Sequence, residues 1–241
     1  MYNDNTLGKR SFPKQNYNDG PSSSFNRRRD TKKQDNSSKN DSGLKGGVSA
    51  VGNITDGDYS NYPEIPQESV KVLTQNGFLS LFPIQQHCFH PVFGREDLIA
   101  RDLTGSGKTL AFGLPTIEYL RKNNLFGTGK VQGIILAPTR ELAIQITAEL
   151  TKLKHHHNEF KIVTVYGGVN IESQTRDLRK GVDIFVGTTG RVKDHIDRGN
   201  IDFSDLKSVI LDEADVMLKL GFKEDVDYIL GEVKKVNQKQ L

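Results

Sequence analysis

Val131-Gln132-Gly133-Ile134-Ile135-Leu136, followed by the turn Ala137-Pro138-Thr139 and then by Arg140-Glu141-Leu142-Ala143, is the stretch on which the fold turns. The first six residues are apolar almost without interruption, which suits a strand covered on both faces of a sheet. From Arg140 to about Leu153, the residues Leu142, Ile146 and Leu150 recur at helical spacing. Three more strands read over Lys161 to Val165, Asp183 to Gly187 and Lys207 to Asp212, each preceded by a helical or turning segment. Upstream, Gln67 to Asn76 carries Val70, Leu73 and Thr74 at helical spacing, and Pro83 opens a second helix with Ile84, His87, Cys88 and Val92 along one side. Asp97 to Arg101 reads as a short strand and Gly107 to Lys122 as a helix. Strands alternating with helices predict an α/β fold: a mostly parallel sheet, helices on both faces, and ligands at the carboxyl ends of the strands.

The chain has 241 residues and a formal net charge of +3. Residues 1–57 are rich in Asn, Ser, Gly, Asp and Lys/Arg, and their few apolar residues (Leu7, Phe12, Phe25) follow no period. This composition predicts a disordered, basic, low-complexity tail, with the folded part over 58–241. Lys9-Arg10, Arg27-Arg28-Arg29 and Lys32-Lys33, with aromatics between them, suit a loose RNA-binding arm, a nuclear address or a plain solvated tail. The sole cysteine, Cys88, excludes an intramolecular disulfide and reads as a small core residue. No apolar run approaches the ~18 residues of a membrane span, and the N-terminus lacks a signal-peptide core, so no membrane partner and an intracellular setting are expected.

Asp102-Leu103-Thr104-Gly105-Ser106-Gly107-Lys108-Thr109 has the composition of a phosphate loop. Thr104, Gly105, Ser106 and Gly107 let backbone N–H groups close around a polyphosphate, Lys108 neutralises its outer charges, and the Thr109 hydroxyl can ligate Mg²⁺. Asp102 departs from the pattern, standing where a glycine is usual. Far along the chain, Leu211-Asp212-Glu213-Ala214-Asp215 places two carboxylates behind an apolar run. Asp212 is then a candidate to hold Mg²⁺, and Glu213 to polarise the water that attacks the γ-phosphate.

Asp212-Glu213-Ala214-Asp215 resembles the name-giving motif of the DEAD-box RNA helicases, and the resemblance runs from about Tyr59 to the C-terminus. It implies a first RecA-like domain that uses ATP and Mg²⁺, with Lys108, Asp212 and Glu213 as the catalytic residues. Gly77 to Gln85 looks like the family's Q motif, in which Gln85 would read the adenine edge and Tyr59, or alternatively Tyr62, would stack on the base. Pro138, Thr139 and Arg140 match the family's motif Ia, Gly167 and Gly168 its glycine doublet, and Thr188, Gly190 and Arg191 its motif Ib, where Thr189 replaces the usual proline. These residues imply contact with the backbone of single-stranded RNA, independent of sequence. Within the family, Leu81 to Gln85, Asp97 to Ala100 and Gly190 to Ile196 look most like the nucleolar Gu-type helicases, which points to the nucleus and nucleolus.

The resemblance leads one to expect, after Asp215, a Ser-Ala-Thr strand and a second RecA-like domain, and neither is found before Leu241. In sheets of this type that strand lies between the phosphate-loop strand and the Asp-Glu strand, and Asp215 touches it. Two readings follow: a piece of an RNA-dependent ATPase and helicase, with little activity of its own, or a short non-catalytic ATP- and RNA-binding module. A phosphate-loop NTPase unrelated to RNA would leave Ala137 to Ala143 and Thr188 to Arg191 unexplained. No oligomeric state is implied. His155-His156-His157 reads as a solvated helix end, since consecutive helical residues diverge by about 100° and cannot share a metal.

Overall fold

The structure is a computed structural model and describes residues 57–238, so the predicted tail lies outside the described residues apart from Gly57. The apolar run forms β1 (Gly133–Ala137), buried at every position. It is an inner strand of a parallel four-stranded sheet in the order β2 (Ile162–Val165), β3 (Ile184–Thr188), β1 and β4 (Ser208–Leu211). The register is even: Ile134 lies beside Phe185 and Val209, and Leu136 beside Gly187 and Leu211.

Because strand side chains alternate, the sheet feeds two separate cores. Ile135, Ala137, Ile184 and Val186 pack with Leu114 and Ile117 of α3 (Lys108–Lys122) and Ile146 and Leu150 of α4 (Arg140–Thr151). Ile134, Leu136, Phe185 and Val163 pack on the other face with Val192 of α6 (Thr189–Asp197) and Ile229 of α8 (Lys223–Gln238). Between these lie α5 (Ile171–Arg179) and the short α7 (Ala214–Lys219). The amino-terminal part contributes α1 (Gln67–Gln75) and α2 (Pro83–Phe93), with Leu73 and Phe89 in the α3/α4 core. Along α2, Ile84 and Cys88 are buried as expected, whereas His87 is exposed.

The expected strand at Asp97 to Arg101 does not form: the segment has no regular structure and is exposed throughout, with Ile99 90 % accessible. A parallel strand exists only through hydrogen bonds to a neighbour. Among the described residues β4 pairs with β1 alone, and the strand expected to stand between β4 and this segment is not among them.

His155 is a second correction. Its side chain is only 8 % exposed, not solvated, and Nε2 lies 2.7 Å from Ser69 Oγ of α1. The reason is long-range: Arg121 of α3 donates Nε to Glu159 (2.6 Å) and Nη2 to the Leu153 carbonyl (3.0 Å), and also pairs with the buried Glu118. Glu159 in turn accepts from the His155 backbone N–H (2.6 Å), drawing the ring inward. With one cation between two nearly buried carboxylates, removing the cation leaves both uncompensated. Arg121→Leu is expected to lower stability by about 3–5 kcal/mol, read from urea unfolding, with part of the loss recovered by adding Glu118→Gln.

Candidate nucleotide site and RNA-facing loops

The phosphate loop closes on glycines. Gly105 and Gly107 have φ of +82° and +84°, a region that disfavours side chains, and a Cβ on Gly107 would lie 2.4 Å from Gln85 Nε2. Gly107 is also the N-cap of α3, with no side chain capping the helix, so the first-turn N–H groups of a full-length helix face the loop. Thr109 sits buried in that first turn. Ser106 Oγ is buried without a protein partner, and the space where a Cβ would stand on Gly105 is open. Thr104 is exposed at the loop's start.

Lys108 is turned back on its own loop, donating from Nζ to the carbonyls of Asp102 (3.0 Å) and Leu103 (2.8 Å). The Asp102 carboxylate accepts from the Leu103 N–H at 2.8 Å, so it is engaged with backbone at the loop's entrance. It lies close enough to α2 that its charge, after burial, helps push the Cys88 thiol up.

Gln85 links the adenine-side motif to the phosphate loop. It is 4 % exposed, accepts from Phe82 N–H (2.8 Å) through Oε1 and donates to the Gly107 carbonyl (3.1 Å) through Nε2. Of the two candidate stacking aromatics, Tyr62 is buried against Phe89 (5.1 Å between centroids) and His90 (5.4 Å). Tyr59 is half-buried, with its hydroxyl donating to the Phe78 carbonyl at 2.8 Å, and burial pushes its phenol up to about 12. Tyr59 therefore keeps ring surface that Tyr62 does not.

Asp212 follows β4 and is held level with the end of β1 by its N–H donating to the Leu136 carbonyl (3.0 Å). Burial pushes its carboxyl above the usual range, against the hydrogen bond from the Glu213 N–H; the Glu213 charge adds to the rise and the Lys108 ammonium opposes it. Lys108 and Asp212 thus act on one region. Glu213 is exposed and adopts φ +52°, a strained conformation for a residue with a side chain. Asp215, on the far side of that turn, is exposed and paired with Lys219 (3.0 Å).

Among the described residues no group of three or more His, Cys, Asp or Glu could hold a metal. Mg²⁺ would take one or two protein oxygens and complete its shell with phosphate and water. Thr109 Oγ1 and the Asp212 carboxylate are the fitting donors, and the orphaned Ser106 hydroxyl and open Gly105 cradle fit phosphate.

The loops expected to face RNA gather at the same end of the sheet, because Ala137 and Thr188 are register partners at the ends of β1 and β3. Pro138 is buried, while Thr139 is exposed as the N-cap of α4, accepting from Leu142 N–H (3.2 Å). Arg140 is exposed, its guanidinium 4.7 Å from the Tyr166 ring centroid. Gly167 and Gly168 are exposed beside it, with open space where side chains would stand. Thr188 caps α6, and Thr189 takes the first helical position that suits proline, 1 % exposed. Gly190 is exposed. Arg191 is the exception: its side chain is 12 % exposed and turned inward, donating to the Val169 carbonyl (3.0 Å) and Gln174 (2.9 Å). Tyr166, Gln174 and His195 were not singled out from sequence. For His195 a signal existed, since it stands four residues after Arg191 on α6 and so shares its face.

A family model described as DEAD/DEAH box helicase matches residues 82–241. The chain is 42 % identical over 184 residues to human ATP-dependent RNA helicase DDX50, covering 76 % of this chain and 24 % of that protein. It is 42 % identical over 178 residues to rat Nucleolar RNA helicase 2, covering 73 % of this chain and 22 % of that one. Among solved structures it resembles the DEAD-box helicase Mss116 bound to ssRNA and UDP-BeF, with a TM-score of 0.68 and 31 % identity, over 73 % of this chain and 36 % of that one. The chain spans about a quarter of the length of the curated relatives it matches. With its phosphate loop, its Asp-Glu turn and its parallel sheet in one frame, the chain belongs to the DEAD/DEAH box helicase family.

Proposed function

We propose that this chain is the ATP- and Mg²⁺-binding part of an ATP-dependent RNA helicase that grips the backbone of single-stranded RNA without reading its sequence. The observation that carries this reading is the glycine cradle at the start of α3, with Ser106 Oγ buried and unpartnered in it and the Lys108 charge within electrostatic reach of Asp212. Gly105 to Thr109 bind the triphosphate, Lys108 exchanges its loop carbonyls for phosphate oxygens, and Thr109 and Asp212 hold the metal. Held there, Mg²⁺ would supply positive charge against the phosphates. Glu213, exposed on its strained turn, orients and deprotonates the attacking water. Tyr59 and Gln85 recognise the base. Arg140, the Gly167–Gly168 loop and the Thr188 and Gly190 groups offer a guanidinium, hydroxyls and N–H groups to RNA phosphates.

In the whole protein this half would couple hydrolysis to duplex unwinding or RNP remodelling against a second RecA-like domain. The likeness to rat Nucleolar RNA helicase 2 supports a nucleolar setting. A second reading, a non-catalytic ATP- and RNA-binding module, is favoured by one feature: Lys108 is already satisfied by the loop, and residues 97–101 that lead into it stand outside the sheet. RNA-stimulated ATP hydrolysis by this chain joined to the second RecA-like domain of a relative separates the two: turnover supports the first reading, and its absence the second.

The roles assigned to Lys108 and Glu213 differ in a measurable way. Lys108→Ala is expected to weaken ATP binding by about tenfold or more, because a charge-assisted contact is lost, whereas Glu213→Gln should leave affinity within about twofold. Titration with a fluorescent ATP analogue checks both; equal losses in the two variants would contradict the assignment.

Asp212 is expected to trade stability for metal binding. A carboxylate whose folded pKa is raised is disfavoured by folding once ionised, so at neutral pH the charge destabilises the chain. Asp212→Asn should therefore raise the thermal midpoint without ligand while abolishing the Mg²⁺ dependence of ATP affinity. Differential scanning fluorimetry and paired titrations with Mg²⁺ and EDTA provide the readout.

A further inference from the structure

The inward turn of Arg191 belongs to a larger buried assembly that nucleotide chemistry does not use. Gln174 of α5 is 7 % exposed and donates Nε2 to the Tyr166 carbonyl (3.2 Å). Its Oε1 therefore faces two donors, Arg191 Nη1 (2.9 Å) and His195 Nε2 (3.2 Å). His195 is fully buried, and with the proton on Nε2 its Nδ1 accepts from Asn200 Nδ2 (3.1 Å). Asn200 Nδ2 also donates to Thr175 Oγ1 (3.2 Å), and Thr175 commits its own hydroxyl proton to the Ile171 carbonyl (3.0 Å).

Every direction in this chain is consequently determined. Turning the Asn200 amide would set its oxygen against the Thr175 lone pairs, and turning the Gln174 amide would set its NH₂ against Arg191 and its oxygen against the Tyr166 carbonyl. The two ends of the chain reach the RNA-facing surface. Arg191 ties Val169 to α6, and Gln174 ties Tyr166 to α5, so the carbonyls on either side of Gly167–Gly168 are both clamped. Tyr166 also carries the Arg140 guanidinium on its ring. One buried chain, with Tyr166, thereby links the Gly167–Gly168 loop, the start of α6 and the start of α4.

We propose that Gln174 and His195 are positioning residues for RNA: they hold the Gly167–Gly168 loop, Arg191 and, through Tyr166, Arg140 in one RNA-competent arrangement, and the arrangement requires a neutral His195. The inference rests on the RNA reading of these loops. A second proton on the imidazole would go to Nδ1, where it meets the Asn200 NH₂ and finds no acceptor. The charged groups around the ring are Arg191 and Asp194 on α6, Arg198 at its C-cap and Glu172 on α5; α8 meets α6 elsewhere, with Asp225 on Lys193 and Tyr228 on Asp197. Burial first, and then Arg191, hold the His195 pKa below its ordinary value. The neutral form is thus intact above about pH 6.5, and stability is lost as pH falls below the unfolded value toward the depressed folded one.

The test uses the full 241-residue chain and a fluorescein-labelled single-stranded oligouridylate, read by anisotropy from pH 5.5 to 8, with ADP affinity and hydrogen exchange of residues 166–170 measured alongside. Gln174→Glu keeps an acceptor for Arg191 and His195 but cannot donate to Tyr166. It is expected to weaken RNA binding about tenfold and speed exchange over 166–170, with ADP affinity within about twofold. Wild-type RNA affinity should fall toward pH 5.5, and His195→Gln should flatten that fall. Unchanged RNA affinity in Gln174→Glu, parallel loss of RNA and ADP affinity, or an identical pH profile in His195→Gln would each overturn the inference. If wild type shows no saturable binding at any pH, the RNA reading falls and this one with it. If wild type binds and Arg140→Ala abolishes binding while Gln174→Glu does not, only the positioning role falls.

Discussion

Hydrogen bonding of β1 on both edges is the constraint on which the rest depends. The strand is buried on both faces, so each of its backbone groups must find a partner in β3 or β4, and the two registers are set together. Ala137 then stands opposite Thr188, and Asp212 follows at the same level through its bond to Leu136. A slip of one residue in either pairing would swap the two cores, moving Phe185 or Val209 to the face now filled by α3 and α4. The packing thus fixes the height at which three functional loops leave the sheet.

What was legible in the sequence is what this constraint makes local. A nearly continuous apolar run such as Val131–Leu136 suits a strand covered on both faces, and polar motif residues directly after such a strand lie at its carboxyl end. Asp97–Arg101 has the same local character and fails as a strand, because strand formation needs a neighbour that a run of five residues does not name. His155 was misread for a similar reason: its burial comes from Ser69, Glu159 and Arg121, which approach only when α1, α3 and the segment after α4 are packed together. In the candidate site, residue types and spacing put Asp212 and the motif loops at the carboxyl ends of strands, where the structure has them. They did not show that Arg191 points inward, since that direction depends on Gln174 arriving from another helix.

Two kinds of buried charge separate architecture from chemistry in this chain. Around Arg121 the carboxylates of Glu118 and Glu159 are compensated by one guanidinium with several further hydrogen bonds, the condition under which a buried pair is tolerated. Asp212 has only the Glu213 N–H as a direct hydrogen-bond donor, a like charge beside it and an ammonium at longer range. A site satisfied by its own protein has no use for a ligand, whereas one left under-compensated gains from a cation. The same contrast holds for hydroxyls, with Thr175 fully committed and Ser106 without a partner.

The two sides of the nucleotide site are held with different firmness. Asp212 and Glu213 are carried by β4 and by a strained turn, a geometry that the sheet imposes before any ligand arrives. The phosphate loop leads into α3 and is hydrogen-bonded to the adenine-side motif through Gln85, whose amide holds Phe82 with one end and Gly107 with the other. An adenine edge presented to Gln85 must compete for one of those two contacts. Releasing the Gly107 carbonyl would loosen the turn that keeps Lys108 on the carbonyls of Asp102 and Leu103, and so would free the ammonium for phosphate. In the proposed reading, base and phosphate recognition would be coupled through this amide, while the Asp212 carboxylate is held at a strand end by the backbone bond to Leu136.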